Sequence, residues 1–104
     1  MSAAGGPKDV RLPRFQTGQV VATPGALRTL EQAGVSAMTL LARHAFGDWG
    51  DLCEDDCEAN EQAVALGGRV LSSYEVGVGP NAAKVWVITE ADRSSTCCLL
   101  AEEY

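Results

Sequence analysis

The sequence predicts an α+β fold in which three helices pack on one face of a three- to four-stranded antiparallel sheet. Two patterns carry that expectation. Between residues 24 and 66 apolar residues recur at three- and four-residue spacing, broken by glycines, as amphipathic helices require. Beyond residue 69, β-branched and aromatic residues gather in short runs separated by Gly, Pro, Asp and Ser, as strands and turns require. The 104 residues, 46% of them hydrophobic and 21% charged, suffice for one modest core and not for two.

Taken in order, residues 1–17 combine an early Ala-Ala-Gly-Gly-Pro with scattered charge and read as a disordered N-terminal tail, so that a single domain spans residues 18–104. Gln19-Val20-Val21-Ala22 is a short strand. Thr23-Pro24 then supplies an N-cap and a proline at the first helical position. Ala26, Leu27, Leu30 and Ala33 line this first helix, and Gly34 stops it, with Val35 folding back on Leu30. Ser36 caps a second helix whose stripe of Ala37, Leu40, Leu41 and His44 ends at Gly47.

A third helix is expected over residues 51–66, opened by an Asp51-to-Glu54 capping-box spacing and loaded with acids that suit the helix dipole. Leu52, Ala59, Ala63 and Leu66 form its expected buried stripe, with Asn60 beside it. Residues 69–76 and 84–89 are strands around a Gly77/Gly79/Pro80 turn, and residues 96–100 return as a third after a polar turn. Val85, Val87, Trp86 and Ile88 fill both faces of the second of these, which makes it central.

Charge narrows the functional classes. The chain carries a net −6, and beyond residue 17 it holds thirteen acids against five bases. Such a body repels a phosphate surface, so direct nucleic-acid binding is disfavoured. Residues 48–61 contain seven acids and no base. A run of this kind is ordinarily a solvated helix face, and its sharper reading is a docking surface for a basic protein. Cys53 and Cys57 sit one helical turn apart, while Cys97 and Cys98 are adjacent on a strand. Neither pair has zinc-ligand spacing, so no metal and no cofactor is expected. No apolar run is long enough to cross a membrane and no basic-then-apolar leader opens the chain, which predicts a cytoplasmic protein without a membrane partner.

His44, the single histidine, titrates near neutral pH and has Asp48 four residues on, where it could orient the ring. Its place on the apolar stripe favours the plainer reading, a core residue bonded to Asp48, Asn60 or a carbonyl. Arg93 lies among two acids and several hydroxyls in residues 89–96, a composition suited to holding phosphate and equally to satisfying a turn. Trp49 and Trp86 read as core. Ser72-Ser73-Tyr74 could turn hydroxyls toward His44 or Arg93. The candidate catalytic group is therefore His44, Asp48, Tyr74 and Arg93, which would suit metal-independent RNA cleavage. The candidate contact residues are Asp48, Trp49, Glu54, Asp55, Glu58, Glu90, Asp92 and Arg93.

Several of these stretches carry a resemblance: Gly18-Gln19-Val20-Val21-Ala22-Thr23-Pro24-Gly25, Arg43-His44 with Gly47-Asp48-Trp49-Gly50-Asp51-Leu52, Ser72-Ser73-Tyr74, and Trp86-Val87-Ile88-Thr89-Glu90-Ala91-Asp92-Arg93-Ser94. The chain resembles a family of short bacterial proteins borne on plasmids and integrative elements, labelled plasmid-related or as restriction-system subunits. In that pattern the positions of Cys57, Cys97 and Cys98 hold other residues and that of Ala101 holds proline. The resemblance implies a mobile-element setting and no particular activity; the acidic body, the absence of catalytic motifs and the small size lead to the expectation of a non-enzymatic accessory protein that works through contacts with a protein partner, a basic one or, as a homodimer, a second copy of itself. The alternatives are a small hydrolase using His44 and Arg93, and an acidic decoy that imitates DNA.

Overall fold

A computed structural model describes residues 12–104. In chain order they form β1 (Gln19–Ala22), α1 (Pro24–Ala33), α2 (Ala37–Ala45), α3 (Glu54–Leu66), β2 (Val70–Val76), β3 (Ala83–Thr89) and β4 (Ser95–Leu100), with short 3-10 turns at Gly79–Asn81 and Ala101–Glu103. The sheet runs β1-β4-β3-β2, so β3 is interior as expected.

The helix starts follow their caps. Thr23 Oγ1 accepts the Ala26 N–H at 3.1 Å and Ser36 Oγ accepts the Met38 N–H at 3.1 Å. Gly34 ends α1 at φ 70°, and the Val35 N–H reaches the Leu30 carbonyl at 3.0 Å, the fold-back expected there. Alternate strand positions face the helices: Tyr74 and Val76, Val85 and Val87, and Cys98 pack with Leu30, Leu40 and Leu41 in the main core. A smaller core joins Phe15, Trp49, Ala63 and Val70.

The structure corrects the sequence reading in three places. First, the sheet is mixed. β2/β3 and β3/β4 are antiparallel, but β1 pairs parallel to β4, Val20 opposite Thr96 and Ala22 opposite Cys98. β1 has to leave the sheet at the same end as β4 for α1 to lie back over the helix-covered face, and side-chain alternation carries no information about that direction.

Second, order begins before Gly18. Within the expected tail, Phe15 is buried, the Arg14 N–H bonds the Ala45 carbonyl at 2.8 Å, and the Thr17 carbonyl accepts from Thr96 Oγ1 at 2.7 Å. Residues 1–11 of that tail lie outside the described residues. Third, α3 starts at Glu54 with Cys53 as an N-cap that makes no side-chain bond, because the Asp51 carboxylate is paired with Lys84. Leu66 is 83% exposed and Ala59 is exposed, so Asn60, Ala63 and Val64 carry the contact instead. Asn60 clasps the backbone of Leu71 from both sides, donating to its carbonyl at 2.7 Å and accepting its N–H at 3.1 Å.

Candidate functional site

α2 delivers His44 to the seam between the two cores. Its helix contributes Leu40 and Leu41 to the main core, while its ring meets Phe15 edge-on at 5.1 Å and Trp49 at 6.1 Å. No part of His44 is exposed. Asp48, the expected orienting partner, does not reach it. The ring instead bonds Ser72 Oγ through Nδ1 at 2.6 Å and Thr89 Oγ1 through Nε2 at 2.9 Å.

The direction of every proton in this network follows from its far end. The Thr17 carbonyl can only accept, so the single hydroxyl proton of Thr96 goes to it. Thr96 Oγ1 must then accept from Thr89 Oγ1, 2.6 Å away, which leaves Thr89 to accept from His44 Nε2–H. Nδ1 is thereby the bare nitrogen, and Ser72 donates to it. This neutral tautomer satisfies every group in the chain. Protonating Nδ1 would set two donors against one another inside the core, and burial, seconded by the nearby Arg93 charge, pushes the histidine down to about 4. At neutral pH the ring is uncharged and bonded at both nitrogens.

Asp48 is held by α2's other basic residue. Arg43 Nε donates to Oδ2 at 2.7 Å and a terminal nitrogen to Oδ1 at 3.3 Å, and this bond holds the carboxyl below its usual range. The same guanidinium covers the Tyr74 ring at 4.5 Å, and the Tyr74 hydroxyl donates to the Asp48 carbonyl at 2.6 Å. Burial pushes Tyr74 up to about 12.

Arg93 turns inward from the β3–β4 turn, at a left-handed φ of 62°. One terminal nitrogen donates to the Gly68 carbonyl at 2.5 Å and the other to the Ala63 carbonyl at 2.9 Å, with longer contacts to Glu90 and Ala91. Its guanidinium also lies 5.5 Å from the Phe15 ring. It therefore fastens the C-terminal end of α3 to the turn, adding a second donor to the Ala63 carbonyl, which also accepts the Gly67 N–H at 2.9 Å. Phe15 sits between it and His44. Both ring nitrogens of His44 are engaged, and both terminal nitrogens of Arg93 are bonded to backbone carbonyls.

The remaining candidates are at the surface or in the small core. Trp49 is buried and its indole N–H donates to Glu61 at 3.1 Å. Arg14 makes a fork on the same carboxylate and holds it at about 2. Glu90 lies 3.6 Å from Arg69, and Asp92 accepts the Ser94 N–H at 2.9 Å, the turn-closing role its type suggests. Glu54, Asp55, Asp56 and Glu58 are exposed, and no cation among the described residues lies within ion-pair distance of them. Among the described residues no three His, Cys, Asp or Glu side chains gather closely enough to hold a metal ion. No helix among them is long and apolar enough to cross a membrane.

Of Ser72-Ser73-Tyr74, Ser72 bonds His44 inside the buried seam, while the Tyr74 hydroxyl goes to the Asp48 carbonyl. The sequence reading missed Thr89, Thr96, Thr17 and Phe15 as His44's surroundings. Thr89 and Thr96, opposite one another in the β3/β4 register, were the available signal, since two threonines at inward positions of neighbouring strands need polar company. No family model matches the chain, and no curated protein or solved structure matches it either.

Proposed function

We propose that this chain is a non-enzymatic accessory protein of a mobile genetic element, acting through contact with a basic protein partner. One contrast carries the reading. The four candidate catalytic side chains are each bonded to an internal partner, whereas Glu54, Asp55, Asp56 and Glu58 stand exposed and unpaired among the described residues on the first two turns of α3. Helix geometry sets Glu54 and Glu58 on one face with Asp55 beside them, a compact field that attracts lysine and arginine side chains and weakens with salt. The mobile-element setting comes from the family resemblance alone.

The test compares the wild-type chain with the variant Glu54→Gln/Asp55→Asn/Asp56→Asn/Glu58→Gln, both immobilised and exposed to bacterial lysate. A small set of basic proteins, retained at low salt by the wild type, released by raised salt and not retained by the variant, is the expected result. Metal-free cleavage of RNA or DNA by the wild type, lost in a folded His44→Gln variant, would overturn the proposal in favour of a hydrolase.

A further inference from the structure

The two edges of the sheet are finished differently. On β2, the middle of the edge is occupied: the Ser73 N–H donates to the Trp49 carbonyl at 3.1 Å and the Ser73 carbonyl accepts the Asp51 N–H at 2.7 Å, so the Gly50 segment closes that side. On β1 nothing among the described residues pairs with the outer side. Its residues are Gln-Val-Val-Ala, with neither the lysine nor the proline by which edges are commonly blunted, and Val20 and Val21 are 44% and 45% exposed.

We infer that β1 is a self-association seam, at which two copies of this chain join their sheets antiparallel about a two-fold axis through Val21. The backbone fixes the register. Gln19 and Thr23 send their N–H groups to Ser94 and Cys98, so in a parallel pair Val21 also faces β4, while Val20 and Ala22 direct both N–H and C=O outward. Opposing Val20 with the partner's Ala22, and Ala22 with the partner's Val20, joins all four outward groups in four hydrogen bonds. Centring on Val20 would set Ala22 against Gly18, whose φ of 62° is not extended. Centring on Ala22 would set Val20 against Pro24, which has no N–H and already belongs to α1.

Charge points to a second copy as the occupant. The body is acidic and repels itself, but residues 15–27 carry no charged side chain and neither does β4 behind them, so this is where two copies can meet without opposing like charges. The two-fold also keeps faces matched: Val21 meets the partner's Val21 on the sheet face away from the helices, beside Cys97. α3 contacts β2 at the far edge, so a dimer would carry its two acidic helices at opposite ends. The inference is independent of what those helices bind.

Sedimentation of the wild type from about 1 to about 500 μM should show a monomer giving way to a dimer, since a short seam makes a weak, concentration-dependent contact. Val21→Arg, a change at an exposed position, should remain monomeric at an unchanged melting temperature. In a Cys53→Ser/Cys57→Ser/Cys97→Ser background, Val21→Cys should cross-link to itself on mild oxidation, because opposed residues of a non-hydrogen-bonded antiparallel pair come within disulfide reach. Val20→Cys should not. A wild type monomeric throughout would overturn the inference and leave the edge to a strand from a different protein; a dimer that survives Val21→Arg, or Val20→Cys cross-linking in place of Val21→Cys, would overturn it as well.

Discussion

His44 Nε2 lies 2.9 Å from Thr89 Oγ1, and that bond is the centre of a relay running from Ser72, which donates to the ring, to the Thr17 carbonyl, which accepts, with Thr89 and Thr96 each accepting once and donating once between. A buried polar chain of this kind stabilises only when every member is satisfied. Replacing His44 with alanine orphans the Ser72 proton and opens a cavity at a site with no solvent access. The expected loss is about 3 kcal/mol, or roughly 10–20 °C in the melting temperature of a domain this size. His44→Gln, which can still offer an acceptor and a donor, should lose less than half of that. Equal melting of wild type and His44→Ala would mean the relay contributes nothing.

The same burial makes stability depend on pH. The histidine is held at about 4 in the folded chain, against about 6.5 when unfolded. Between those values the unfolded chain binds the extra proton, so stability is full above pH 6.5 and falls as pH drops toward 4, by about 3 kcal/mol in all. Glu61, held at about 2, loses its contribution in a separate and lower window, and being largely solvent-exposed it adds little. Urea midpoints measured across the upper window should slope for the wild type and lie flat for His44→Gln. Parallel slopes would assign the effect to carboxylates.

How far the sequence could be read is itself explained by these contacts. Caps and periodicity are local, so Thr23, Ser36, Gly34 and the stripe from Leu40 to His44 stand where their spacing put them. Non-local pairing was not legible. Asp48 is four residues from His44, yet the five-residue reach from Arg43 across the end of α2 secures it, because a bidentate ion pair outcompetes a neutral ring for the carboxylate. Arg93 looked like an anion site because its neighbours in sequence are polar. Its actual partners, the Ala63 and Gly68 carbonyls, are about thirty and twenty-five positions away and carry no residue-type signature.

Phe15 is the residue whose role the sequence most understated. It is 9% exposed, stacks 6.2 Å from Trp49 at an interplanar angle of 25°, and separates His44 from Arg93. Phe15→Ala should therefore cost about 3 kcal/mol and change the fluorescence of Trp49. Removing residues 1–17 should cost at least as much, since Arg14 and the Thr17 carbonyl leave with the ring. If the shortened chain melted with the full one, the segment would be a tail after all.

Arg93 separates backbone strain from side-chain bonding, because its left-handed φ of 62° is unfavourable for any residue with a Cβ while its guanidinium serves four carbonyls. Arg93→Ala keeps the strain and loses the bonds, and is expected to cost about 2–3 kcal/mol. Arg93→Gly loses the same bonds but relieves about 1 kcal/mol of strain, so it should unfold at higher urea than the alanine variant and at lower urea than the wild type. Lysine, with a point charge in place of a fork, can reach one of the two main carbonyls and should recover only part of the loss. The order wild type, lysine, glycine, alanine would confirm that Arg93 is committed to fastening α3. An alanine variant as stable as the wild type would mean that water serves those carbonyls equally well, and would return Arg93 to the pool of groups able to bind an anion.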